Sequence, residues 1–114
     1  MKIVKVKAEH EYQVQIGINA VEKIKEISDS HNKVLLVAPN SLISKFKIKP
    51  RANLKVFGTA DGENQKSLVT LDRVWKKCAS EGIKRSDAII GLGGGATTDL
   101  AGFASATWMR GIDW

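Results

Sequence analysis

The segment Gly91-Leu92-Gly93-Gly94-Gly95-Ala96 concentrates glycine between an apolar run, Asp87 to Leu92, and a stretch from about Thr97 to Met109 with helical character. Glycines in such a place let backbone N–H groups approach an anion closely, and the first turn of the following helix adds a partial positive charge. A phosphate is the ligand this chemistry suits. The segment also satisfies the dinucleotide pattern G-x-G-x-x-G/A, a weak signal by itself. An ordinary dinucleotide fold places an acidic residue about 20 positions further on, at the end of the next strand, to hold a ribose. Asp113 is near that spacing but stands at a strand's beginning, so it is rejected as the ribose ligand. The competing interpretation is that the glycines serve only a tight turn.

Other chemically capable residues give less. Cys78, the single cysteine, falls on the apolar side of a helical pattern with no histidine nearby in sequence, which predicts a small core residue rather than a nucleophile. His10 and His31 match no metal-ligand spacing and are expected at the surface. The stretch Lys45-Phe46-Lys47-Ile48-Lys49-Pro50-Arg51 alternates charged and apolar residues, which predicts a solvated edge strand with its lysines in water. Nucleic-acid binding is the rival for that stretch, but no zinc-finger spacing or RNA-binding aromatic signature accompanies it.

The elements that would carry the glycine turn follow from periodicity. Glu11 to Ile16 alternates like a half-buried strand and stops at Gly17. Val21, Ile24 and Ile27 share one side of a helix spanning Ala20 to Ser30. Lys33 to Ala38 and Asp87 to Leu92 read as strands buried on both faces, the signature of a parallel sheet. A short helix over Ser41 to Phe46 and a strand over Asn53 to Phe57 lie between them. Leu68, Leu71, Val74, Trp75 and Cys78 mark a helix from Ser67 to Ser80, with Gly82 placed to end it. Gly111-Ile112-Asp113-Trp114 resembles the start of another strand, as though the chain were cut within a β-α-β unit. The fold class is therefore α/β, a Rossmann-like, mostly parallel sheet with flanking helices, whose ligands bind at the carboxyl ends of the strands.

Composition agrees with one globular domain over residues 1–114: 43% hydrophobic and 26% charged residues suit a chain with a core. The longest apolar runs fall far short of the roughly 20 residues of a membrane span, the first residues do not form a signal peptide, and one cysteine gives no disulfide. The expectation is a cytoplasmic protein with neither membrane nor nucleic-acid partner. Its net charge of +6 suits nucleic acid, anionic lipid or a small phosphorylated substrate alike, and its sign does not choose among them.

Three segments in this order, Asp61-Gly62-Glu63-Asn64-Gln65-Lys66-Ser67, then Gly91 to Phe103, then Ala106-Thr107-Trp108-Met109-Arg110-Gly111, resemble 3-dehydroquinate synthase. The resemblance runs from about Tyr12 to Trp114, and its specificity rests on the later half. Thr97-Thr98 departs from many bacterial members, which carry a larger apolar residue and a glycine before the aspartate. The family's next signature, its helical domain and its metal-binding glutamate and histidines lie beyond this sequence. The chain is thus expected to be an amino-terminal, NAD-binding part, with no catalytic residue and no metal ligand of its own.

What the resemblance implies is a lyase of the shikimate route. The family converts 3-deoxy-D-arabino-heptulosonate 7-phosphate to 3-dehydroquinate and phosphate, using NAD catalytically and a divalent metal, zinc or cobalt, as a homodimer. Position by position, Asp61, Gly62, Glu63 and Lys66 fall in the first NAD-contacting loop, where carboxylates accept from ribose hydroxyls and the ammonium faces phosphate or carboxamide. Without the resemblance these would read as a solvated turn and helix cap. Gly94 and Gly95 fall at the pyrophosphate, Thr97, Thr98 and Asp99 open the next helix, and Asp99 either holds a ribose or caps that helix. Arg110 matches an arginine that reaches the substrate phosphate across the dimer interface. The alternatives are another sugar-phosphate cyclase, an iron-dependent alcohol dehydrogenase relative, against which Gly102-Phe103 and Arg110-Gly111 argue, or a nucleotide-binding module without catalysis.

Overall fold

In the computed structural model, which describes residues 1–114, five strands and four α-helices follow in the order β1 (Lys2–Val6), β2 (Tyr12–Ile16), α1 (Ala20–Asp29), β3 (Val34–Pro39), α2 (Asn40–Lys45), β4 (Leu54–Thr59), α3 (Leu68–Ser80), β5 (Ala88–Gly91) and α4 (Gly95–Thr107). Short 3₁₀ turns cover Glu63–Gln65 and Trp108–Arg110. β3 lies between β4 and β5, and both pairings are parallel. All six residues of β3 are buried, as expected of a central strand covered on both faces. Its side chains divide by parity. Leu35 and Val37 join Leu71, Val74, Cys78, Ile89, Leu100 and Ala101 under α3 and α4. Val34, Leu36 and Ala38 join Ile24 of α1 with Leu54 and Ala88 on the other face. The α/β expectation therefore holds, as three layers.

Helix ends follow local chemistry. Asn19 Oδ1 accepts from the Glu22 N–H at 3.1 Å to start α1, and Ser67 Oγ accepts from the Thr70 N–H at 3.2 Å to start α3. Gly82, at φ +65°, ends α3 in a paired motif: its N–H donates to Ala79 O at 3.2 Å and that of Ile83 to Cys78 O at 2.9 Å.

Three expectations need correction. Lys45 to Arg51 is no edge strand. α2 ends there through the same paired motif, Lys47 N–H to Ser44 O at 3.2 Å and Ile48 N–H to Ile43 O at 3.0 Å, with Lys47 left-handed at φ +52°. Ile48 packs beside the α1-side core, so the alternation reflects one anchored apolar residue among exposed lysines. The amino terminus, which gave no clear element in the sequence, forms β1 and pairs antiparallel with β2. The helix expected to run to Met109 ends at Thr107, because Trp108 turns extended at ψ 125°, and Met109 and Arg110 then take positive φ, 48° and 65°.

The last residues do behave as a strand begins. Asp113 bridges in parallel to Ala88, and the Ile89 N–H donates to Asp113 O at 2.9 Å. Trp114 lies over Gly102, where a Cβ would fall 2.9 Å from the indole Cζ2.

Candidate nucleotide-binding site

Parallel register aligns the strand ends. Pro39 pairs with Thr59 and Val37 with Gly91, so the loops after β3, β4 and β5 leave from one end of the sheet. That end holds the glycine turn. The Leu92 N–H still donates to Val37 O at 2.9 Å, and the chain then turns through Gly93 into α4.

The glycines do different work. A Cβ on Gly91 would lie 2.8 Å from Ala101 Cβ, so this glycine lets α4 pack against β5. Gly93 has φ +148°, and a Cβ there would lie 2.9 Å from Thr97 Oγ1 and 3.2 Å from Pro39 Cδ, so the turn itself requires it. Gly94 and Gly95 differ. A Cβ on either meets nothing within 4 Å, and neither has a positive φ. Neither internal packing nor backbone conformation demands glycine at these two positions. At Gly94, the N-cap of α4, glycine is also an ordinary helix-start residue, and at both positions the backbone lies open. Gly94 precedes α4, and no side chain caps the helix's first turn, which leaves its N–H groups without a side-chain partner.

Across from the turn, Gly62 bends the loop after β4 at φ +105°. Asp61 Oδ1 accepts from Ser41 Oγ at 2.9 Å, which ties the loop to α2. Lys66 Nζ lies 3.0 Å from Asp99 Oδ2 and 3.3 Å from Glu63 Oε2. Those hydrogen bonds, Asp99 first and Glu63 second, hold the exposed Lys66 ammonium above the ordinary lysine pKa. Lys66 and Asp99 also line a cleft of about 400 Å³ between α3 and α4, floored by Leu71 and Leu100 and flanked by Phe103.

The two sequence segments are thus brought together, with qualifications. Asp99 lies in the second turn of α4, five residues past Gly94, so the helix-cap alternative fails and its carboxylate is free to pair with Lys66. Gly95, not Thr97, opens the helix. Thr97 is buried beneath Gly93, and Thr98 Oγ1 turns back to Gly94 O and Gly95 O, both at 3.2 Å. Arg110 is not brought to the turn. It lies past the far end of a 13-residue helix, roughly 20 Å away at 1.5 Å per residue.

Other expectations resolve simply. Cys78 is fully buried, and burial pushes its thiol pKa up to about 11. Asp113 pairs with Ala88, the first residue of β5, at the sheet end opposite the glycine turn, so its exclusion as a ribose ligand holds. His31 is half-buried, not a free surface residue, with Nδ1 2.8 Å from Ile27 O. No three His, Cys, Asp or Glu side chains are grouped to hold a metal ion. Sequence reasoning missed Ser41 and also Thr59, whose Oγ1 is buried without a hydrogen-bond partner.

Residues 56–114, which include both the loop and the glycine turn, match the family described as 3-dehydroquinate synthase N-terminal. The chain belongs to the 3-dehydroquinate synthase family. Relatives of that name include one from Cutibacterium acnes, 37% identical over 113 residues covering 99% of this chain and 31% of that protein. One from Lactococcus lactis subsp. cremoris is 42% identical over 91 residues, 80% of this chain and 25% of that protein. The chain spans about a third of the length of the curated relatives it matches. Among solved structures, 2-deoxy-scyllo-inosose synthase complexed with carbaglucose-6-phosphate, NAD+ and Co2+ superposes with a TM-score of 0.77 at 21% identity, covering 97% of this chain and 33% of that one. At that identity the likeness establishes the fold.

Proposed function

We propose that this chain is the NAD-binding portion of a 3-dehydroquinate synthase, the lyase that converts 3-deoxy-D-arabino-heptulosonate 7-phosphate to 3-dehydroquinate and phosphate. The observation that carries the proposal is the pair Gly94 and Gly95, glycines with open space over them at an uncapped helix start. A dinucleotide's pyrophosphate fits there, because only the absence of side chains lets its oxygens reach the backbone N–H groups. Bound NAD would supply a reversible hydride acceptor. The chain's own residues bind and orient it: Gly94 and Gly95 hold the pyrophosphate, with the Thr97 and Thr98 backbone behind them. The carboxylates of Asp61, Glu63 and Asp99 accept from ribose hydroxyls around the Gly62 bend, and Lys66 turns its ammonium to a phosphate or carboxamide oxygen.

The metal is a different case. The side chains here do not form a ligand set for zinc or cobalt, so no step is assigned to a metal on these residues. Relatives named 3-dehydroquinate synthase at 37% and 42% identity support the 3-dehydroquinate reading over another cyclase. Arg110, remote from the turn of its own chain, would serve the substrate phosphate of a partner subunit in a cytoplasmic homodimer. Calorimetric titration with NAD⁺, joined to chemical-shift mapping, tests the proposal. Saturable binding with shifts centred on Gly93 to Asp99 is expected, and binding that spares that turn would refute it.

A further inference from the structure

Thr59 is the last residue of β4, 4% exposed, and its Oγ1 is the one buried side-chain polar atom with no hydrogen-bond partner. An unpartnered hydroxyl in a folded interior is costly, and sequences usually avoid it by placing valine, which has nearly the same shape. Its location suggests why it is kept. Thr59 pairs in register with Pro39, and Pro39 Cδ is 3.2 Å from where a Gly93 Cβ would stand, so the end of β3 separates Thr59 from the glycine turn. It also directly precedes the loop that carries Asp61, Glu63 and Lys66.

We propose that the Thr59 hydroxyl is a further contact of the dinucleotide subsite, bonding to a phosphate or ribose oxygen of the bound ligand; this rests on the function proposed above. The hydroxyl is buried, so the proposed contact includes a shift of the adjoining segment Ala60 to Lys66. That segment is held by exposed polar bonds, Ser41–Asp61 at 2.9 Å, Lys66–Asp99 at 3.0 Å and Lys66–Glu63 at 3.3 Å, and hinges at Gly62 with φ +105°. Exposed bonds of this kind resist motion weakly. The groups they join are also those a nucleotide would engage, so the ligand replaces the bonds it breaks.

Thr59→Val separates this role from a structural one, because its two effects have opposite signs. Removing an unsatisfied hydroxyl should raise the melting midpoint of the ligand-free chain, while removing a ligand contact should weaken NAD⁺ binding about five- to tenfold, the size of one hydrogen bond. Thr59→Ser keeps the hydroxyl and should bind NAD⁺ within about twofold of the parent chain, on the same hydrogen-bond scale. A more stable Thr59→Val that binds NAD⁺ as the parent does would overturn the inference, leaving the hydroxyl a solvent-bridged or merely buried group. A parent chain that binds no NAD⁺ would instead remove the proposed function, and this contact with it.

Discussion

Lys66 and Asp99 are 33 residues apart in sequence, yet Lys66 Nζ and Asp99 Oδ2 lie 3.0 Å apart, joining the loop after β4 to the helix behind the glycine turn. Both side chains are largely exposed, and the glutamate at 63 shares the same ammonium. Exposed ion pairs of this kind contribute little to stability. The pairing matters more as a statement of position: one cation and two carboxylates join the loop after β4 to α4, the helix that the glycine turn opens.

The first expected outcome follows from that pairing. Lys66→Ala should leave the melting midpoint almost unchanged and weaken NAD⁺ binding about three- to tenfold, the effect of one charge-assisted hydrogen bond partly screened by water. Calorimetry at low and at high salt checks it. A loss of affinity that vanishes at high salt would assign Lys66 to long-range attraction and not to contact.

The glycines give a sharper contrast. Gly95→Ala adds a methyl group to open space at ordinary φ in the first helical turn, so stability should stay the same or rise by about 0.5–1 kcal/mol, whereas Gly94→Ala, at the N-cap where alanine is disfavoured, should lose up to about 1 kcal/mol. Affinity for NAD⁺ should fall at least tenfold in each. Gly93→Ala should instead destabilise by more than about 1 kcal/mol, since its φ is +148° and its Cβ would press on Thr97 and Pro39. Thermal melts and NAD⁺ titrations of the three variants make the comparison. If Gly94→Ala and Gly95→Ala bind as the parent does, these glycines are tolerated rather than used.

How much of this was legible in sequence depended on whether the signal was local. β3 and β5 announced themselves through short apolar runs, because strands covered on both faces need no alternation. α3 was clear from its apolar spacing and the glycine at 82. β1 was not clear, since its pairing partner, not its composition, makes it a strand. Lys45 to Arg51 misled because period-two alternation cannot distinguish an edge strand from a helix exit with a single anchored residue, Ile48. At the left-handed Met109 and Arg110 neither residue is a glycine, and only the following Gly111, at φ +109°, marks the turn. The glycine turn could be located, but the separate roles of Gly91, Gly93 and Gly94 depend on neighbours from other elements.

Cys78 offers a pH test of the core. Burial raises its thiol pKa from 9.0 to about 11, so in the unfolded chain the thiol ionises first. The linked stability is fully present below pH 9.0 and is lost as pH rises towards about 11. Cys78→Ala should be less stable at neutral pH, because it opens a void in the core between the sheet and its helices. It should lack this component of the alkaline decline, so the two stability curves converge across that range. Denaturant titrations at several pH values provide the measurement. Curves that stay parallel would mean that other groups set the alkaline limit.

Arg110 gives the prediction that reaches furthest from this chain. It stands beyond the end of α4 with φ +65°, following Met109 at 48°, exposed and roughly 20 Å by helix length from the glycine turn. Two roles compete: a cation that interacts with the helix carboxyl end, and a ligand for a substrate phosphate. The kink weakens the first, because the chain has already left the helical path when it reaches the guanidinium. A guanidinium can give a phosphate two parallel hydrogen bonds, a geometry lysine does not copy. At roughly 1.5–3 kcal/mol for a hydrogen bond to a charged group, Arg110→Ala in the complete enzyme should weaken substrate binding about ten- to a hundredfold with NAD⁺ affinity unchanged. The distance from the turn on its own chain fits the proposed role at a partner's site. Mixing Arg110→Ala subunits with subunits defective at the glycine turn should restore activity in some heterodimers, since one of the two sites would again hold both intact halves. Unchanged substrate kinetics in Arg110→Ala, with only a small loss of thermal stability, would return this arginine to the helix end.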